Sequence, residues 1–223
     1  MSKIVSINQP YFFPNIGFIK MISLSDIHIA LDDVNMKKKS WITRNKFVSD
    51  DEMYSLRVRD ISQNRYINQH YFIDPLRQLK QFKEYFYQIN RNDSFIELIM
   101  EMLNLDLLHN HEKLNIATFN VRCLRMILSI LNIKTGIILS SSFSVDANLK
   151  GANRLIALAK ISNAEVYLNL ESGRALYSKH YFSDNGLKLT FNTSEDIASN
   201  SDLYQVRSRS ILKALSVFGP DVI

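Results

Sequence analysis

The chain has 223 residues, 46% of them hydrophobic and 22% charged, with a net charge of +5. That balance describes a globular chain able to bury a sizeable core, and it excludes a disordered or fibrous one. The longest apolar run falls far short of the ~20 residues of a membrane span, no secretory signal follows Met1, and one cysteine, Cys123, excludes an intramolecular disulfide framework, so a reducing cytoplasm is the expected compartment.

Taken in chain order, Ile4 to Ile7 reads as a first strand, residues 15–25 as a short helix and Ile27 to Leu31 as a second strand ending in Asp32 and Asp33. Strand, loop, helix, strand is the outline of a βαβ unit, and strands apolar on both faces suit a buried, largely parallel sheet. Residues 34–47 read as a loop or edge segment, and Tyr54 to Val58 alternates like a strand. Asp74 and Pro75 are an N-cap and a first helical proline, after which Leu76, Leu79, Phe82, Phe86 and Ile89 recur at helical spacing. A second helix is expected from near Asp93 and a third over Leu114 to Leu131, where Cys123 is expected as a buried structural thiol. Strands at Gly136 to Leu139, Glu165 to Leu168 and Leu187 to Phe191 then alternate with helices at 148–161, within "ESGRALYSKHYF", and over Ser210 to Val217. The fold class is α/β, a mostly parallel sheet flanked by helices. A helical segment over about 74–132 is inserted between two α/β portions of one domain spanning 1–223.

Four groups of residues can carry chemistry. The stretch "NQPYFFP" follows the first strand and precedes the first helix, where ligands of open α/β sheets bind. Gln9 and Tyr11 are expected to face a ligand, whereas Phe12 and Phe13 are expected in the core. Asp32 and Asp33 end the second strand; one of them can bind a ribose, orient an amine, accept a proton or cap the next turn. As strand neighbours they are expected to point to opposite faces and not to form one paired site. "KKKSWITRNK", residues 37–46, sets four lysines and an arginine around the only tryptophan, a composition suited to phosphate with a ring for a base. His180, among aromatics, is a candidate general base at neutral pH, or a packed or surface histidine.

Other chemistry is disfavoured by the motifs. "HNH" at 109–111 lacks the further ligands of a nuclease site, and no metal-binding, P-loop or GxGxxG pattern is present. The serines at 140–142 lack the flanking glycines of a nucleophile elbow. The modest positive charge suits an acidic partner such as nucleotide phosphates, an acidic carrier protein or nucleic acid, but no helix-turn-helix, zinc-finger, RRM or KH signature supports the last.

The run "INQPYFFPNIGFIKMISLSDIHIALDDVNMKKKSWITRNKF" resembles the opening of the WbqC-like proteins. Gln9, Pro10, Tyr11, Pro14, Gly17, Lys20, Asp26, Asp32, Asp33, Val34, Ser40, Trp41, Arg44 and Asn45 match its pattern. Tyr167, Leu168, Gly173, Tyr177, Tyr204, Gln205 and the closing "ILKALSVFG" fit more loosely. The family pattern has histidine where this chain has Asn8, a residue that forms hydrogen bonds but cannot titrate.

The resemblance implies a cytoplasmic N-acyltransferase of O-antigen or capsule biosynthesis. It would move an acyl or aminoacyl group, such as glycyl, onto the amine of a nucleotide-linked amino sugar. The donor would be a thioester on an acyl carrier protein or coenzyme A, with no tightly bound cofactor and no metal. Asp33 or His180 would take the amine proton, while Asn8, Asn45 or backbone N–H groups would stabilise the oxyanion. Lys39 and Arg44 would hold phosphates, Trp41 or Tyr11 would cover the base, and Gln9, Lys20 and Tyr177 complete the expected substrate contacts. Two other activities fit the same residues: a non-catalytic sugar-nucleotide or carrier-binding protein, and a Mg²⁺-dependent nucleotidyltransferase.

Overall fold

Strand β1 (Ile4–Asn8) runs through a proline-rich loop into helix α1 (Ile16–Ser23), and β2 (Ile27–Ala30) follows. The computed structural model describes residues 2–49, 51–89, 97, 99, 101, 114–192 and 206–222. A small antiparallel ribbon comes next, β3 (Arg44–Asn45) with β4 (Tyr54–Ser55). Helices α2 (Pro75–Ile89) and α3 (Ile116–Ile130) lie in the middle of the chain. The last third alternates: β5 (Gly136–Leu139), α4 (Gly151–Ile161), β6 (Val166–Leu170), α5 (Lys179–Asp184), β7 (Lys188–Asn192) and α6 (Ile211–Phe218). The helix expected from Asp93 falls almost wholly outside the described residues, as do "HNH" at 109–111, Tyr204 and Gln205.

Local chemistry starts and stops these elements where the sequence suggests. Asn15 Oδ1 accepts from Phe18 N–H at 3.0 Å to open α1, and Asn115 Oδ1 accepts from Thr118 N–H at 2.9 Å to open α3. Pro75 sits at the first position of α2, while Asp74 Oδ1 accepts from Arg77 N–H at 3.1 Å. Gly219, at φ 70, ends α6 in the left-handed region. The strand expected over Tyr54 to Val58 keeps only two residues. Beyond it the Gln78 side chain takes both backbone groups of Arg57, its Nε2 reaching Arg57 O at 2.9 Å and its Oε1 accepting from Arg57 N–H. Past that point the chain changes partner: Ile73 N–H donates to Arg57 O at 3.1 Å and Arg59 N–H to Tyr71 O at 2.9 Å, and Val58 makes one antiparallel bridge with Phe72 in place of a continued strand.

The main sheet has five strands in the order β5-β2-β1-β6-β7, all parallel. This is an α/β fold with helices on both faces. Val5 and Ile7 of β1 and Ile29 of β2 pack with Leu155, Leu158 and Phe182 from α4 and α5. The opposite face packs against α1, α2, α3 and α6 and holds most of the buried aromatics. The chain moves outward from β1 to β2 and β5 on one side, then crosses back to β6 and β7 on the other. The carboxyl ends of β1 and β6 therefore flank the point where the strand order reverses, and the two strands open a crevice there.

Polar groups in this core matter. His28, in the middle of β2, is fully buried with Nδ1 2.9 Å from Ser6 Oγ. This serine–histidine pair is sealed from solvent. Burial holds the imidazole neutral, its pKa lowered from 6.5 to about 3.

The proline-rich loop is the second such place. Its residues 10 and 12–14 are buried, so its carbonyls need donors. Asn120 Nδ2 donates to Pro10 O and to Ile42 O, both at 2.8 Å. Asn45 Nδ2 donates to Phe12 O at 2.8 Å and Phe13 O at 2.6 Å, and Ile211 N–H donates to Pro14 O at 2.8 Å. Phe13 is held at φ 44, a left-handed conformation disfavoured for a bulky side chain. Phe12 and Phe13 are core residues as expected, each 1% exposed and packed among Phe47, Phe82 and Phe119.

Two stability measurements follow. Asn45→Ala strips the donor from two buried carbonyls and should cost about 3 kcal/mol. A urea midpoint displaced no further than by an ordinary surface substitution would show that this amide does not hold the loop. For His28, the unfolded chain takes up a proton below about pH 6.5 and the folded chain does not until about pH 3. Its contribution to stability is complete above pH 6.5 and falls as pH drops, by about 2 kcal/mol between pH 7 and 5. In His28→Gln that part of the pH dependence should disappear; equal slopes for the two proteins would contradict a buried neutral imidazole.

Candidate functional site

A cleft of about 360 Å³ lies at the crevice between β1 and β6. Asn8 and Gln9 at the end of β1, and Asn169 and Leu170 at the end of β6, form its floor. Tyr11, Pro14 and Asn15 of the proline-rich loop wall one side, and Gly173, Leu176 and Tyr177 of the segment after β6 wall another. Lys37 and Trp41, from the basic stretch, stand on its rim; the indole is 41% exposed.

The lining mixes apolar side chains with neutral polar ones and is almost uncharged. Gln9 makes no hydrogen bond to another described residue, so its amide is open to the cleft. The Tyr11 ring is braced by Phe18, with centroids 5.4 Å apart. Its phenol pKa is raised by burial first and by nearby Tyr177 second. Tyr177 is raised by burial as well. Tyr167, fully buried beneath them, donates its hydroxyl to Ile7 O at 3.3 Å and is raised well above the usual tyrosine range by burial, then by Tyr177 and Tyr11. All three phenols therefore remain neutral hydrogen-bond donors across the physiological range. Lys37 is the one charged side chain among the described cleft residues.

Of the site residues expected from sequence, the fold brings Asn8, Gln9, Tyr11, Trp41, Asn45 and Tyr177 to this cleft. Asn45 lines it, but its Nδ2 is spent on Phe12 O and Phe13 O and its Oδ1 accepts from Lys46 N–H at 2.8 Å. It shapes the wall and has no donor left for an oxyanion. Asn8 likewise turns its N–H groups inward, toward Asn169 Oδ1 at 3.4 Å and Met21 Sδ at 3.6 Å.

The remaining expectations lie elsewhere. Lys20, Lys39 and Arg44 do not line the cleft; Lys37 occupies the place expected of Lys39. Arg44 is half-buried on β3 with its Nε enclosed and unpaired. His180 projects from α5, its side chain 86% exposed, with Nδ1 3.2 Å from Asp184 Oδ1. Asp33 is bound by Arg154 and accepts from Ser140 Oγ at 2.5 Å. The same Ser140 Oγ lies 3.0 Å from Asp32 Oδ1, its one proton shared between the two carboxylates, so the two aspartates do meet, contrary to the alternation expected of strand neighbours. The reason is that β2 stops at Ala30, and past its end the pleat no longer dictates direction. Asp32 also accepts from Ser141 N–H at 2.9 Å, Ser141 Oγ at 2.7 Å and Asn68 Nδ2 at 3.0 Å. This network ties the ends of β2 and β5 to α4.

Asn169 was missed by sequence reasoning, although a polar residue near the end of the apolar strand "VYLNL" and four residues before a glycine carries a signal. Lys37 was hidden by its neighbours, since a run of three lysines does not say which one stands at the cleft. Among the described residues no helix is long and apolar enough to cross a membrane. No curated protein and no solved structure matches the chain significantly. The model of the WbqC-like protein family does, over residues 9–218, and the chain belongs to that family.

Proposed function

We propose that the cleft binds a nucleotide-linked amino sugar and that the protein transfers an acyl or aminoacyl group, glycyl for instance, to its amine. The donor is a thioester on an acyl carrier protein or coenzyme A, and the product feeds O-antigen or capsule assembly. One observation carries the reading: at the switch point of the sheet, neutral amides and phenols surround a pocket whose only charged wall residue among those described is Lys37, beside an exposed indole. Sugar hydroxyls pair with Gln9, Tyr11 and Tyr177. The diphosphate pairs with Lys37, and the base lies against Trp41.

Asp33 and His180 are not needed in this scheme. No described cleft residue offers a carboxylate or imidazole, so the amine must enter uncharged and the departing thiolate must take up its proton. The rate then follows the ionisation of the substrate amine, rising with pH to a plateau. The same lack of a base among the described residues favours a second reading, a pathway protein that binds the sugar nucleotide without turning it over.

Titration calorimetry with several UDP- and dTDP-linked amino sugars tests the binding. Lys37→Ala should weaken it about tenfold, the worth of a charge-assisted hydrogen bond, while Lys39→Ala changes it less than twofold. Binding should shift the emission of the single tryptophan. Failure of every such sugar to bind would end the proposal. With an acyl thioester added, Cys123→Ser should turn over normally, because the donor already carries the sulfur. A folded Cys123→Ser protein without activity would contradict direct transfer.

A further inference from the structure

Two side-chain amides meet where β1 and β6 part. Asn8 closes β1, Asn169 stands one residue before the end of β6, and both line the cleft. The donor of Asn8 is directed at Asn169 Oδ1, 3.4 Å away, and at Met21 Sδ, 3.6 Å away. Asn169 Oδ1 also accepts from Leu170 N–H at 2.8 Å. What remains is one oxygen and one nitrogen. Asn8 Oδ1 and Asn169 Nδ2 have no hydrogen-bond partner among the described residues, and neither is an enclosed unpaired atom. The pair therefore offers the cleft one open acceptor and one open donor.

The donor is held firmly. Asn169 is 5% exposed, and its oxygen is fixed by two bonds. Gly173 packs directly over the amide, where an added Cβ would stand 2.4 Å from Asn169 Nδ2. Any side chain there would force the amide aside.

We propose that Asn8 and Asn169 together bind the tetrahedral intermediate of acyl transfer, Asn169 donating to the oxyanion and Asn8 accepting from the attacking nitrogen; this rests on the acyl-transfer reading of the cleft. The lone pair of the sugar amine attacks the thioester carbonyl carbon. A C–N bond forms, and the π pair moves onto oxygen. The oxyanion accepts from Asn169 Nδ2–H, while an N–H of the new ammonium donates to Asn8 Oδ1. Collapse restores the C=O and breaks the C–S bond. The thiolate takes the ammonium proton, leaving an amide and a free thiol. Before attack the amine and the carbonyl belong to two molecules. Only in the intermediate do a charged acceptor and a strong donor share one carbon, so this pair favours the intermediate over the bound reactants.

The test measures steady-state transfer from acetyl-coenzyme A and from a glycyl pantetheine thioester to the amino sugar bound in calorimetry. Asn169→Asp keeps the shape and the accepting oxygen but loses the donor. Its kcat should fall roughly 10²–10³-fold, with KM for the amino sugar within about threefold. Gly173→Ala, which keeps asparagine at 169 but pushes its amide aside, should lower kcat about tenfold, and it carries the test if Asn169→Asp does not fold. Wild-type kcat in both variants overturns the role of the pair while leaving the transfer reading intact. So does a rise in KM alone, which would make Asn169 a ground-state contact. A wild-type protein that binds the sugar but transfers neither acyl group overturns the transfer reading and this role with it.

Discussion

The structure depends on donors for the carbonyls of one buried loop. Residues 10–14 run through the interior, where a backbone without partners would be costly. Helices and strands satisfy their own carbonyls; this loop cannot, because two of its residues are proline. Three remote positions supply the donors instead: Asn45 from β3, Asn120 from α3 and Ile211 at the start of α6. Elements far apart in sequence are thereby fastened to one wall of the cleft. Asn120 also holds Ile42 O, and Trp41 O accepts from Phe12 N–H at 2.8 Å, so the basic segment is bound to the same loop. Tyr11 on the inner wall and Trp41 on the rim are placed by these bonds.

The cleft that results works by neutral hydrogen bonding. Burial keeps its phenols protonated, and the carboxylates nearest in sequence are engaged elsewhere. Asp32 collects four donors, and Asp33 is held by Arg154 and Ser140. Those bonds brace the sheet edge and leave the carboxylates little capacity for chemistry. A site of this kind suits hydroxyls and amides more than a second charge. Its single described cation, Lys37, stands on the rim, where in the proposed complex a phosphate would stay partly in water while the sugar went deeper.

How much of this was legible depended on range. The βαβ opening, the Asn15 and Asp74–Pro75 helix starts and the Gly219 stop are local and could be read directly. So could the core placement of Phe12 and Phe13 and the position of "NQP" at a strand's carboxyl end. What failed depended on contacts distant in sequence. Asn45 belongs to a motif-rich stretch and resembles a ligand group, yet its amide is consumed by carbonyls more than 30 residues away. The two aspartates were expected apart because the alternation rule was carried two and three residues beyond the strand's end at Ala30. His180 sits beside Tyr181 and Phe182, but only Phe182 turns inward, so aromatic neighbours did not mean a buried histidine. Asn169 could only be recognised by knowing that β6 lies next to β1, which is a fact of topology.

The same adjacency bears on position 8, where the resemblance implies a histidine and this chain has Asn8. A neutral imidazole has one nitrogen that donates and one that accepts; a carboxamide has a nitrogen that donates and an oxygen that accepts. In this chain Asn8 uses its donor on Asn169 and Met21 and turns its acceptor outward. A neutral histidine there, donating to Asn169 from one ring nitrogen, would present the other as an acceptor to the same cleft. The hydrogen-bonding pattern would thus be the same for either residue, and the ability to carry away a proton is what asparagine lacks. That loss matters only if the reaction relies on the protein for its proton transfer. With a thiolate leaving group the proton has another destination, so asparagine at position 8 is compatible with a changed route for one proton rather than with an abandoned reaction.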